Sequence, residues 1–191
     1  MKKVRRRSQK PYPILPMAAG LLLIGFALVI MTSPKSGSAA ESSSSVVPVA
    51  VSFAAPELSL ENLNGQTESL ADYRDHVVLV NNWATWCPPC KAEMPTLAAY
   101  YREHQSEGFT IIAVEAGDPV ETVAPFVQNY NLEFPVWLDP GGVSVRTFGN
   151  GTLPNSYVID RAGTVRYAWT GEINKAMLEK YVTPLLMEDG R

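Results

Sequence analysis

Val77-Val78-Leu79-Val80-Asn81-Asn82-Trp83-Ala84-Thr85-Trp86-Cys87-Pro88-Pro89-Cys90-Lys91-Ala92-Glu93-Met94-Pro95 carries the reading that decides the fold. Residues 77–80 are a continuous β-branched apolar run, the pattern of a strand buried on both faces. Met94, Leu97, Ala98 and Tyr101 then recur at i, i+3, i+4 and i+7, one stripe of a helix. Cys87 and Cys90 stand where the strand ends and the helix opens. A CxxC at that place in a β-α-β chain reads as a redox dithiol. A helix N-terminus offers unpaired N–H groups and a partial positive charge, which stabilise a thiolate on the first cysteine. Pro89 costs no helical hydrogen bond in the first turn. A thiol of pKa about 8.5 is only a few per cent thiolate at pH 7; lowering it to about 7 gives roughly half, for about 2 kcal/mol. Cys90, one turn deeper, is placed to resolve a mixed disulfide.

Downstream, residues 109–114 read as a second buried strand, and Val123, Phe126, Val127 and Tyr130 repeat the helical stripe. Residues 156–160 and 164–170 flank Arg161-Ala162-Gly163 as a hairpin. Asn174 is a cap for a last helix with the stripe Leu178, Tyr181, Val182 and Leu185, which Pro184 should bend or end. Upstream, residues 58–62 and 66–69 flank Asn64-Gly65, a strong hairpin signal. The order predicts an α/β domain: a central mixed β-sheet flanked by helices, with an N-terminal β-hairpin extension.

The net charge of −3 hides an asymmetry. Residues 1–40 hold seven Lys/Arg and no acid; the remainder holds nine Lys/Arg against nineteen Asp/Glu, a net of −10. So acidic a domain is not built to neutralise phosphates, and no nucleic-acid partner is expected. Two histidines and two cysteines exclude most multi-ligand zinc sites. Residues 1–13 form a basic head and residues 14–31 an uncharged stretch, about 27 Å long as a helix, close to a bilayer's hydrocarbon thickness. A signal-anchor with the basic side in the cytoplasm is the expected reading. A signal peptide cleaved after Ser38-Ala39-Ala40 is the competing one. Residues 32–52, rich in Ser, Ala and Pro, read as a flexible tether, and residues 53–191 as the folded domain.

The stretch around Cys87 and Cys90 closely resembles the membrane-tethered, extracytoplasmic thioredoxin-like proteins of the TlpA/ResA/CcmG type. Gly151-Thr152-Leu153-Pro154-Asn155-Ser156-Tyr157-Val158-Ile159-Asp160-Arg161-Ala162-Gly163 matches that family's second signature. The resemblance spans about residues 56–187 and implies a thioredoxin fold. It implies a cis Pro154 facing the dithiol, leaving the backbone of Leu153 to pair with an extended substrate chain. It also gives Glu93 a role. At i+3 from Cys90 its carboxyl lies one turn along the same helix face, where it could relay that thiol's proton; a solvated carboxylate is the alternative. Asn81 replaces the buried aspartate of ordinary thioredoxins and cannot titrate, which shifts weight to Glu93; a purely structural Asn81, bonding neighbouring backbone, is the alternative. Trp86 reads as an apolar lip of the site, Trp83 as core, and Pro95 as a kinking proline. Glu115 and Asp118, after the second central strand, read as a charged loop, with lining the site as the alternative, and His76 and His104 read as surface residues.

The function expected is an extracytoplasmic thiol–disulfide oxidoreductase that reduces protein disulfides, for example apocytochrome c cysteines. No flavin or nicotinamide motif is present, so no cofactor is expected. Electrons would come from a membrane thiol donor. Oxidative disulfide formation is the alternative, since reduction potential sets direction. A Cu(I) chaperone is the reading from another class. It is disfavoured by CxxC in place of CxxxC and by the lack of an obvious His partner. A peroxidase reading lacks its Thr-x-x-Cys pattern.

Overall fold

The computed structural model describes residues 47–188. The basic head, the apolar run 14–31 and most of the tether lie outside the described residues; within these no helix is long and apolar enough to cross a membrane. At the centre is β4 (Val77–Trp83), buried at all seven positions. It runs three residues past its apolar stretch because two asparagines find internal partners. Asn81 Nδ2 donates to Glu93 Oε1 (2.8 Å) and Ser156 Oγ (2.9 Å). Asn82 Nδ2 donates to Asn155 Oδ1 (2.8 Å), and its Oδ1 accepts from Ser144 Oγ (2.6 Å). Buried amides without such partners would disfavour the strand.

β5 (Phe109–Glu115) pairs with β4 in parallel, Trp83 opposite Glu115. β7 (Asn155–Ile159) pairs with its other side in antiparallel, Asn82 opposite Asn155. β8 (Thr164–Thr170) closes the expected hairpin with β7, and β6 (Val136–Leu138) lies parallel to β5. The parallel pairs need crossovers, supplied by α1 (Pro88–His104) and α2 (Val120–Asn129). Right-handed crossovers that advance in one direction put both helices on one face. Met94, Leu97 and Tyr100 of α1 and Val123 of α2 accordingly share a core with Leu79, Trp83, Ile111 and Ala113. Asn174 caps α4 (Lys175–Tyr181) by accepting from the Met177 amide, and Pro184 opens a separate α5 (Thr183–Met187). Leu178 and Leu185 of these helices join the same core.

The opposite face carries Val78, Val80, Ile112, Val114 and Tyr157. It is covered by Leu58 and Leu70 of the N-terminal segment rather than by a long helix. That segment guards both sheet edges. The hairpin of β2 (Ser59–Asn62) and β3 (Thr67–Ser69) forms as expected, Gly65 taking a φ of 73° in its turn, and β2 adds to β6. The expected start of the fold at residue 53 is corrected. β1 (Val49–Ala54) already pairs antiparallel with β8, so the strand takes in four residues assigned to the tether. Val49, Val51 and Phe53 alternate at period two, and the interleaved Ala and Ser residues mask the strand compositionally. The full order is β1-β8-β7-β4-β5-β6-β2-β3. Two elements had no sequence signal, β6 and α3 (Val143–Thr147), both too short to show a period. His104 is also corrected. It is buried, its ring tilted against Tyr100 with 4.4 Å between ring centroids, and its Nδ1 lies 2.9 Å from Glu107.

Glu68 fastens the hairpin. Its carboxylate accepts from Asn62 Nδ2, Tyr73 Oη and Trp137 Nε1, tying β2, the turn after β3 and β6 together. Burial works to raise its pKa, but the three hydrogen bonds outweigh it and hold the group below the ordinary glutamate value. Its stabilising contribution is therefore present above the unfolded pKa and lost as pH falls through the folded one. Glu68→Ala leaves three donors without their acceptor and should cost about 1–3 kcal/mol, read as a lower urea midpoint at neutral pH.

Candidate active site

β4 ends at Trp83, and the chain turns through Ala84-Thr85-Trp86 into α1. Cys87 is the N-cap of that helix, with Pro88 and Pro89 in the first turn, where a missing N–H costs nothing. Cys87 and Cys90 are joined as a disulfide with Cα atoms 5.3 Å apart. The amide of Cys90 donates to Cys87 Sγ at 3.3 Å, so a helix-end N–H points at the first sulfur. No acidic residue stands in the first turn to oppose a thiolate there. Cys87 is 3% exposed and Cys90 fully buried. Trp86, the residue before Cys87, is 64% exposed, an unusual state for an indole.

The second signature meets the first through strand pairing. β7 runs antiparallel to β4, so its first residue, Asn155, lies opposite Asn82 at the end from which the Cys87 loop emerges. The residue before it is Pro154, buried and joined to Leu153 by a cis peptide bond. Leu153 is half-buried against the core cluster that includes both cysteines.

Glu93 is not solvated. Its carboxyl is fully buried and accepts from Asn81 Nδ2 (2.8 Å) and from the Ile173 amide (2.9 Å). Burial pushes its pKa up to about 8, against the lowering effect of those two hydrogen bonds and with a further push from the Glu172 charge. Asn81, which cannot titrate, thus holds the carboxyl of Glu93 in place. Ser156, the other partner of Asn81, stands in the second signature, but nothing in the sequence announced its bond to Asn81. Glu115 is likewise corrected. It is a fully buried side chain at the end of β5, not part of an exposed charged loop, because β4 and β6 flank it on both sides. Asp118, half-buried, accepts from Thr85, a contact across 33 positions that no local pattern announces.

Comparison with known proteins agrees with this geometry. The model of the AhpC/TSA family matches residues 51–168. The chain belongs to this family. It is 36% identical over 134 residues to the thiol-disulfide oxidoreductase ResA of Geobacillus thermodenitrificans, covering 70% of this chain and 77% of that one. It is 38% identical over 128 residues to ResA of Bacillus thuringiensis subsp. konkukian, covering 67% and 74%. Among solved structures it is similar to a thiol:disulfide interchange protein of the thioredoxin family from Chlorobium tepidum. That match has 28% identity and a TM-score of 0.65, and covers 72% of this chain and 99% of that one. This AhpC/TSA member has the thioredoxin fold and is a thiol–disulfide oxidoreductase.

The raised pKa of Glu93 has a thermodynamic consequence. Between the unfolded value of 4.5 and the folded value of about 8, the native state keeps a proton that the unfolded chain has lost. Stability therefore falls with rising pH across that window, by at most about 1.4 kcal/mol per pH unit from this group. Glu93→Gln should flatten the dependence and gain on the wild type as pH rises from 5 to 8, as measured by chemical denaturation at a series of about four pH values.

Proposed function

We propose that this oxidoreductase reduces disulfides of proteins outside the cytoplasm, held to the membrane by residues 14–31. The observation that carries the chemistry is the Cys87–Cys90 disulfide at the N-terminus of α1, with the buried carboxyl of Glu93 one turn further along. In the reduced protein the Cys87 thiolate attacks one sulfur of the substrate disulfide. A mixed disulfide forms and the other substrate sulfur leaves as a thiolate. Cys90 then loses its proton to Glu93 in its ionised fraction, a minority at neutral pH that grows toward pH 8, and attacks Cys87 Sγ. The second substrate thiolate departs, and the Cys87–Cys90 bond closes. A base with pKa about 8 is well matched to a thiol of pKa about 8.5. Trp86 offers an apolar face to the substrate chain, and the backbone of Leu153, set by Pro154, pairs with it.

The reducing direction, the outer location and apocytochrome c cysteines as substrate are supported by the resemblance to ResA-type proteins and by the basic head before an apolar run. The protein is recharged by a membrane thiol donor. A reduction potential of the couple well below that of the glutathione pool is expected, about 30 mV corresponding to a 1.4 kcal/mol difference. A potential near those of strong oxidants would replace this reading with oxidative disulfide formation.

Cys87→Ser should abolish exchange, while Cys90→Ser should accumulate a mixed disulfide visible on non-reducing gels. Trapping by the protein that keeps only Cys90 would invert the assignment. Glu93→Gln should slow exchange on the order of 10²-fold near neutral pH and remove a step from the rate–pH profile. Superimposable profiles of the two proteins would exclude the relay.

A further inference from the structure

Thr85 lies in the short loop between β4 and Cys87. Its amide (3.1 Å) and its hydroxyl (2.6 Å) both donate to Asp118 Oδ2. Asp118 belongs to the loop after β5, so this clamp ties the redox loop to the neighbouring strand's exit. Behind the clamp stands Glu115. Its Oε2 accepts from the amides of Gly117 (3.0 Å) and Asp118 (2.8 Å). Its Oε1 is buried and meets no donor. As a carboxylate oxygen it would be a buried acceptor left empty, beside a second carboxylate. As a hydroxyl it has an acceptor at hand, since the Asp118 side chain lies within hydrogen-bonding reach.

We propose that Glu115 is a positioning residue. As a neutral acid it donates its carboxyl proton to the Asp118 side chain, and Asp118 in turn holds Thr85 and with it the loop that carries Trp86 and Cys87. The pair shares one proton, and Glu115 keeps it because it is the deeper group. Asp118 already satisfies a charge with two donors from Thr85. Burial first, and then the hydrogen bond and charge of Asp118, push Glu115 up to about 8, against the two amides that favour its ionised form. On Asp118 burial works against the charge, but hydrogen bonds from the Thr85 hydroxyl, Glu115 and the Thr85 amide hold its pKa below the ordinary aspartate value. The packed elements present few other charges. β4 sets Trp83 and β6 sets Leu138 at the level of Glu115. Asp139, just past β6, spends its carboxylate on the amides of Val143 and Ser144. Glu93 on α1 is engaged by Asn81 and Ile173, and Glu121 on α2 is exposed. Above the pKa of Glu115 two carboxylates face each other, and the hold on Thr85 weakens. The loop is thus fixed at neutral pH and loosened in alkali.

The proposal rests on Cys87 and Cys90 as the exchanging pair only for its consequence, so its test is read without substrate. The backbone amide of Thr85 is followed by nitrogen-15 NMR in the full-length disulfide form from about pH 5 to about pH 10. The wild-type signal should move with a midpoint near 8. Glu93→Gln should keep that step. Glu115→Gln, which retains a donor but cannot ionise, should hold the neutral-pH position throughout. Glu115→Ala should speed hydrogen exchange at Thr85 about tenfold or more at neutral pH. A Thr85 step that survives Glu115→Gln, a midpoint at ordinary carboxylate values, or no step at all would overturn the proposal. Should the Glu115 variants not fold, the wild type and Glu93→Gln decide it alone, since loss of the step in Glu93→Gln assigns the titration to Glu93.

Discussion

The backbone ladder around β4 is the constraint on which everything else depends. One flank pairs in parallel with β5 and the other in antiparallel with β7. Parallel pairing demands a crossover, and the crossover helix must begin where β4 ends. Antiparallel pairing brings the start of β7 to that same end. A helix N-terminus, a CxxC and the Leu153-Pro154 bend are thereby delivered to one place by hydrogen-bond geometry alone. No loop has to search for the site, since each component is the terminus of a buried element.

Burial also sorts the carboxyl groups. Glu68, with three side-chain donors, is held in its charged form. Glu93 and Glu115 accept fewer hydrogen bonds at deeper positions, and both are pushed up to about 8. Desolvation is the largest influence on all three, and the number of donors decides which group resists it. Of the two acids pushed up, Glu93 lies on the helix that leads out of the redox loop and Glu115 at the end of the neighbouring strand β5, whose exit loop holds Thr85.

Much of this was legible beforehand. The apolar run 77–80, the stripe on α1 and the CxxC between them are local patterns, and local patterns survive folding. Glu93 was legible as a residue on the face of Cys90, because i+3 spacing fixes direction. Its burial was not, because spacing says nothing of what lies opposite, and here Asn81 and Ile173 close over it from elsewhere in the chain. Glu115 misled for the same reason. An acid beside Gly117 and Asp118 has the composition of a loop, while its depth comes from flanking strands remote in sequence. β1 was hidden by its small residues, and β6 and α3 by their brevity.

The short passage from Ala54 to Ser59 sets a limit on the sheet's shape. β1 and β2 stand six strand spacings apart, which in a flat sheet is about 29 Å. Five Cα steps reach at most about 18 Å. The sheet can satisfy both only by coiling until its two margins approach each other across the back layer. The reach of this connection therefore limits the sheet's curvature along with strand twist. A longer connection would let the sheet unroll, and a shorter one would strip the pairing from one margin.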